Sequence, residues 1–263
     1  METVLITGAS SGIGVELARC FAADGARLIL VARKRKPMEA LAEQLRAAHK
    51  TQSEIFPLDL SQPGAAARIH QHLETHGTRV DVLVNNAGAG MNGLFSELSA
   101  ARQSEMIHLN VVALTELTRL LLPRMLEKRR GGILNVASTA AVVAGPRMAV
   151  YYATKAYVLS FSEALTEELR GTGVTVTALC PGPTVTNFAE ASNARHAPRH
   201  QRSSMTAQAV AQIGHNAFRA GKAVVFSGAR NKLIAFGVRF APRSIARKLA
   251  GFLNKTSYEK TSS

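Results

Sequence analysis

Tryptophan is absent from the 263 residues, and the aromatic share is only 5%. Packing must therefore fall to Leu, Val, Ile and Ala, within a hydrophobic share of 46%. That aliphatic bias suits a parallel sheet covered by helices on both faces, whose strands read as short continuous apolar runs. Cysteine is nearly missing too. Cys20 and Cys180 stand alone without a C-x-x-C spacing, which argues against a disulfide framework or a zinc site, and both are expected to pack in the core. No uninterrupted apolar run approaches the ~18 residues of a membrane-spanning helix, so none is expected. A strand pattern starting at Thr3 and a glycine loop at Gly8 fit no signal peptide. These absences lead to the expectation of a cytoplasmic location.

Acids are scarce, and unevenly so. From Ser192 to Ser263 there are 13 Lys or Arg against one acid, Glu259, whereas the preceding 191 residues hold 19 basic and 17 acidic groups. A cationic C-terminal third points to an anionic partner: a lipid surface, a nucleic acid or an acidic substrate. No nucleic-acid recognition motif accompanies the charge, so nucleic acid is not expected.

What is present is an alternation of short apolar runs with longer helical patterns. Strands are expected at Thr3–Thr7, Arg27–Val31, Glu54–Asp59, Asp81–Asn85, Gly132–Ser138, Val174–Cys180 and Ala223–Phe226. Helices are expected at Gly12–Ala23, Pro37–Ala48, Ala65–Thr75, Ala101–Lys128 (as two consecutive helices), Tyr151–Gly171 and Thr206–Ala220. Repeated strand–helix–strand units predict right-handed crossovers and a doubly wound, Rossmann-type α/β domain with a parallel seven-stranded sheet. The alternation stops after Gly228. The chain is therefore expected to be one catalytic domain, residues 1–228, with a basic amphipathic extension, residues 229–263.

Thr7-Gly8-Ala9-Ser10-Ser11-Gly12-Ile13-Gly14 follows the first strand and opens the first helix. Gly8 permits a tight turn, Gly12 a close approach of backbone to a pyrophosphate, and Gly14 close helix–strand packing. The helix N-terminus then offers free N–H groups and a positive dipole end to phosphates. After the second strand comes Arg33-Lys34-Arg35-Lys36, where an NAD-binding chain usually places an acid on the ribose 2′-hydroxyl. Cations there fit a 2′-phosphate, and the planar fork of Arg33 is best placed to bind it. The cofactor expected is NADP(H).

Tyr151 and Lys155 are spaced i, i+4 at the start of a long helix and so share a face. A phenol of pKa ~10 is a poor general base near neutrality unless a nearby ammonium, together with a positively charged nicotinamide, favours its phenolate. Ser138, at the end of the fifth strand, lies where open α/β sheets place ligand-contacting groups. Tyr152 has no lysine four residues on and reads as packing or pocket wall. His70, His72 and His76 do not share one helical face, so no metal site is expected.

With these motifs in order, the chain resembles the short-chain dehydrogenase/reductase family, from the first strand to about Glu190. The likeness rests on Thr7 to Gly14, Asp59-Leu60, Asn85-Asn86-Ala87-Gly88, the Ser138–Tyr151–Lys155 set and Pro181-Gly182. It implies Asn110 as a fourth catalytic member, holding a water that links the lysine to solvent. It places Asp59 and Leu60 at the adenine, Asn86, Ala87 and Gly88 along the adenine and ribose side, and Lys155 on the nicotinamide ribose. Thr184 and Thr186, just after Pro181 and Gly182, would contact the carboxamide. It also implies a homodimer or homotetramer through the long helices after the fourth and fifth strands.

The segment from Thr184 to Thr206, where the family sets its substrate choice, carries Arg195, His196, Arg199, His200 and Arg202. The facing stretch Thr139–Val150 is small and apolar, and Met91, Met148 and Met205 lie near the expected pocket loops, as ordinary packing or as substrate contacts. A hydrophobic carbonyl or alcohol, of 3-ketoacyl, steroid or aliphatic ketone type, fits such a site. The tail Asn231–Lys255 reads as an amphipathic helix pair broken at Pro242, which could lie on an anionic membrane, close over the pocket or pack against another subunit. An alternative to an enzyme is an NADP(H)-binding sensor or scaffold that acts through this tail. The intact Asn110, Ser138, Tyr151 and Lys155 weigh against it.

Overall fold

The computed structural model describes residues 1–192 and 204–255. Seven strands, all parallel, form one sheet: β1 (Thr3–Thr7), β2 (Arg27–Ala32), β3 (Ser53–Pro57), β4 (Val82–Asn85), β5 (Gly131–Val136), β6 (Val174–Cys180) and β9 (Val224–Phe226). Their order is β3-β2-β1-β4-β5-β6-β9. The chain winds outward from β1 to β3, returns to the middle, and winds the other way from β4. The crevice beyond β1 and β4 is thus the topological switch point, the general ligand site of open α/β sheets. This is the Rossmann-type single domain expected.

Period-two alternation sends neighbouring strand residues to opposite faces. In β1, Val4 and Ile6 join Leu17 and Phe21 of α1 (Gly12–Ala23), Met38 and Leu45 of α2 (Arg35–His49) and Phe218 of α8 (Ala207–Arg219). Leu5 faces the other way, toward Ile69 and Leu73 of α3 (Ala65–Thr75), Leu117 and Leu121 of α5 (Ala113–Glu127) and Leu165 of α6 (Ala149–Glu168). Cys180 is buried as expected, and Cys20 is half-buried.

Three differences from expectation bear on the site. The stretch expected as two helices runs without a break: α4 (Ala100–Ile107) passes through a π-helical turn, His108–Val112, into α5. By length and by an 18-residue window of mean hydropathy 1.2 this 28-residue helix could cross a membrane, but Leu117, Leu121 and Met125 are buried against the sheet. Strands β3 and β5 each stop two residues short of the expected functional residue, leaving Asp59 and Ser138 in loops just past the sheet. Beyond β6, β7 (Thr184–Val185) and β8 (Met205–Thr206) form a separate two-stranded parallel sheet, with the four-residue helix α7 (Phe188–Ala191) between them. The extension folds as α9 (Ala229–Val238) and α10 (Arg243–Asn254), with Pro242 at the N-cap of α10, so the expected break holds.

Candidate active site

The glycine loop is held at the crevice by its neighbours. Gly8 and Gly12 have φ of +68° and +58°, conformations that L side chains rarely adopt. A Cβ on Gly14 would collide with the Gly8 carbonyl oxygen and come within 2.5 Å of Asn86 Nδ2. The Asn86 amide donates to the carbonyl oxygens of Thr7 at 2.9 Å and Gly8 at 3.2 Å. Thr7 is buried with its hydroxyl fully engaged. It donates to the Val84 carbonyl at 3.2 Å and accepts from the Asn86 and Ala87 amides at 3.0 Å each. Thr7 and Asn86 therefore shape the cradle, and the side chain of Thr7 does not face a ligand.

At the N-terminus of α1 the Ser11 side chain makes no capping bond, and no acid lies in the first turn. The first N–H groups, around Ser11, Gly12, Ile13 and Gly14, thus remain available to an anion. Ser10 is half-buried in the same loop. A Cβ on Gly12 would lie 3.0 Å from Thr186 Cγ2, so the segment after β6 reaches across to the loop. The cradle fits a dinucleotide pyrophosphate.

At the other end, Arg33 follows β2 directly and is exposed, with its guanidinium 4.0 Å from Asp59 Oδ2. Such an exposed pair is weak, and it leaves the fork at the rim. Asp59 is fixed by Ser61, whose amide and hydroxyl donate to Oδ1 at 2.9 and 2.7 Å. Leu60 buries its side chain in the core and offers only backbone. Arg35, by contrast, pairs with Glu39 on its own helix.

The catalytic candidates come together. Ser138 N-caps a short 3₁₀ turn, Thr139–Val142; its Oγ accepts from the Ala140 amide at 3.0 Å and donates to the Pro181 carbonyl at 3.5 Å. Tyr151 lies in the first turn of α6, and Lys155 Nζ is 6.0 Å from its ring centroid. Burial pushes the Tyr151 phenol up to about 12, with the Ser138 hydroxyl opposing the shift and Tyr152 adding to it. Lys155 Nζ, though over the ring, donates to the Val136 carbonyl at 2.8 Å, and burial dominates the phenol. Burial in turn brings Lys155 down to about 8.

Asn110 owes its place to the π-helical turn, whose extra residue turns its side chain inward. Its Oδ1 accepts from the Ala89 amide at 2.9 Å, and its Nδ2 donates to the Ala89 carbonyl at 2.9 Å and to Thr154 Oγ1 at 3.0 Å. It thus ties the loop after β4 to the helix bearing Tyr151 and Lys155. Gly88 sits between them: a Cβ there would be 3.4 Å from both Asn110 Oδ1 and Lys155 Nζ.

Several contributors were missed by sequence reasoning. The Gly182 amide donates to Ser227 Oγ at 3.2 Å, and Asn231 packs on Gly182 while donating to the Ser227 carbonyl at 2.6 Å. The turn after Pro181 is thus braced from the start of α9. The Thr184 hydroxyl donates back to the Gly182 carbonyl at 2.9 Å. Tyr152, expected as packing or pocket wall, covers Gly145 and donates to Asn254 Oδ1 at 3.1 Å. Asn254 also donates to the Pro146 carbonyl and accepts from Asn92, each at 3.0 Å, which latches the end of α10 onto the mouth. No motif announces Ser227, Asn231, Asn254 or Asn92. The Phe188 ring lies 5.4 Å from that of Tyr151. Arg195, His196, Arg199, His200 and Arg202 lie outside the described residues. Of the clustered histidines, His72 pairs with Glu54 and stacks on His76.

Residues 2–197 match the family model described as short chain dehydrogenase. The chain belongs to the short-chain dehydrogenase family. Among curated members of that family, the ketoacyl reductase HetN of Nostoc is 37% identical over 181 residues, which are 69% of this chain and 63% of that protein. The chain thus spans less than two thirds of that relative. A short-chain dehydrogenase of Sphingobium yanoikuyae, solved in complex with NADPH, superposes with a TM-score of 0.81 at 32% identity, covering 91% of this chain and 94% of that one. The bulky-bulky ketone specific alcohol dehydrogenase of Comamonas testosteroni gives a TM-score of 0.77 at 28% identity, covering 100% and 99%.

Proposed function

We propose that this short-chain dehydrogenase transfers a hydride between NADP(H) and the carbonyl or secondary alcohol carbon of a small hydrophobic substrate. The observation that carries the reading is the meeting of Ser138, Tyr151 and Lys155 beside the glycine cradle at the switch point. Residues Gly8 to Gly14 would hold the pyrophosphate, Arg33 the 2′-phosphate, and Asp59 the adenine. Lys155, Thr184 and Thr186 would take the nicotinamide end. NADP(H), when bound, supplies or accepts the hydride.

In reduction, the Ser138 hydroxyl bonds the substrate oxygen and fixes it against Tyr151. The Tyr151 phenol, kept neutral by burial, gives its proton to that oxygen. The Lys155 ammonium, 6.0 Å from the ring centroid, favours the resulting phenolate and lowers its cost. Asn110 holds the loop and helix in register and, by family likeness, would lead the replacement proton in from solvent. The small apolar stretch Thr139–Val150 supports a hydrophobic substrate, as do a ketone specific and a ketoacyl-reducing relative. For a dimer or tetramer through α5 and α6, the Thr115 and Tyr157 hydroxyls of these two helices lie 2.9 Å apart near the surface.

Arg33→Ala is expected to erase most of a ~10-fold preference for NADPH over NADH, a difference of about 1.4 kcal/mol. Titration of both cofactors by fluorescence checks this, and equal affinity in the wild type would remove the assignment.

Lys155 links site and stability. Its folded pKa of about 8 lies below the ordinary lysine value of 10.5, so between those values the unfolded chain binds the proton more tightly. Raising pH through that window therefore favours the folded state. Lys155→Met is expected to raise the thermal midpoint at pH 7 by about 2–6 °C, with the gain shrinking toward pH 10, while turnover is lost. Calorimetry at the two pH values reads this out, and a midpoint unchanged or lowered at pH 7 would contradict it.

A further inference from the structure

Helices α9 and α10 present their apolar residues outward. On α9 and just past it, Leu233, Phe236 and Phe240 share one face, opposite the buried Ala235, and Phe236 and Phe240 pack edge to face at 5.1 Å. On α10, Ile245, Leu249 and Phe252 recur at i, i+4 and i+7 and are equally bare. Phe240 is 75% exposed and Phe252 70%, so core packing does not account for these faces. Around them, residues 229–255 hold seven Lys or Arg and no acid. Meanwhile Asn254, at the end of α10, is bonded to Tyr152, Pro146 and Asn92 at the substrate mouth. The helices thus sit at the mouth while turning an apolar and basic face away from it.

We propose that this face docks on an anionic lipid surface, seating Leu233, Phe236, Phe240, Ile245, Leu249 and Phe252 at the acyl boundary and the cations among the headgroups. The mouth latched by Asn254 would then open beside the bilayer, where a hydrophobic carbonyl accumulates. Charge decides the occupant. A two-fold contact with a second copy sets the same patch against itself, bringing two sets of seven cations together without an acid among them. An anionic bilayer neutralises them, and amphipathic helices with Lys and Arg beside Leu and Phe bind such interfaces. The docking rests on these helices alone; only its benefit to substrate entry rests on the proposed reductase activity.

The absence of tryptophan supplies the reporter. Phe240→Trp and Phe252→Trp, made singly in the full chain, each place one tryptophan on the face. Both should shift to shorter wavelength on adding vesicles of phosphatidylcholine and phosphatidylglycerol, and stay unshifted with phosphatidylcholine alone. Wild-type protein should co-sediment with the anionic vesicles at low salt and leave them as salt rises, since surface charge is screened beyond ~8 Å at physiological ionic strength. Changing Phe236, Phe240 and Leu249 together to Ser should cut vesicle binding at least ~10-fold. Retained NADPH binding by that variant shows that it is folded. No co-sedimentation of wild type at low salt, or equal binding by the Ser variant, overturns the proposal. A Ser variant that changes oligomer size, with wild type ignoring vesicles, assigns the face to a second copy.

Discussion

Tyr151→Phe is expected to lower turnover by about 10²–10⁴-fold while leaving NADPH affinity within a factor of about three. The ring remains to pack against Phe188, and only the hydroxyl that faces Ser138 is removed. The loss should appear in kcat and kcat/KM alike, because the proton is delivered only in the transition state. Tyr152→Phe is the control. It loses the bond to Asn254, which loosens the mouth but removes no proton donor, so activity should stay within about tenfold. Steady-state kinetics on both variants decide the matter. If Tyr152→Phe were inactive and Tyr151→Phe active, the active-site helix would be assigned in the wrong register.

The second large effect is structural. Gly14→Ala adds a methyl where the Gly8 carbonyl oxygen and Asn86 Nδ2 already stand, neither at the free end of a flexible chain. Asn86 cannot retreat without releasing the Thr7 and Gly8 carbonyls. Helix α1 must therefore move off β1, withdrawing its N-terminal amides from the pyrophosphate. Overpacking of this kind costs about 1–3 kcal/mol, so the thermal midpoint should fall by roughly 2–10 °C. NADPH affinity should fall by at least ~10-fold. Gly25→Ala, whose added carbon would meet nothing within 4 Å, separates collision from backbone strain. It should leave NADPH affinity unchanged, although its φ of +78° costs some stability. Calorimetry and cofactor titration of the two variants check both statements.

What the sequence made legible was what local pattern governs. The run from Thr3 to Thr7 is fully buried, so it reads as a strand in any context. Gly8, Gly12 and Gly14 announce their backbone geometry through residue type, and Tyr151 and Lys155 share a face by helical spacing alone. Illegible were the features set by contacts distant in the chain. The π-helical turn at Asn110 inserts one residue without altering composition. Asn254 reaches Tyr152 across 102 residues, and Ser227 braces Gly182 across 45. The phenol of Tyr151 also could not be weighed from spacing. Its pKa depends on how deeply the fold buries it, and burial wins in the observed arrangement.

The site is expected to perform hydride transfer and not merely to bind NADP(H). The most direct measurement follows NADPH absorbance with wild-type protein and a panel of medium-chain 3-ketoacyl thioesters, steroids and aliphatic ketones. At least one hydrophobic ketone is expected to drive NADPH consumption, with one alcohol formed per NADPH, and more slowly with NADH. Tight NADPH binding with no turnover of any carbonyl in the panel, or of the matching alcohols with NADP⁺, would contradict it.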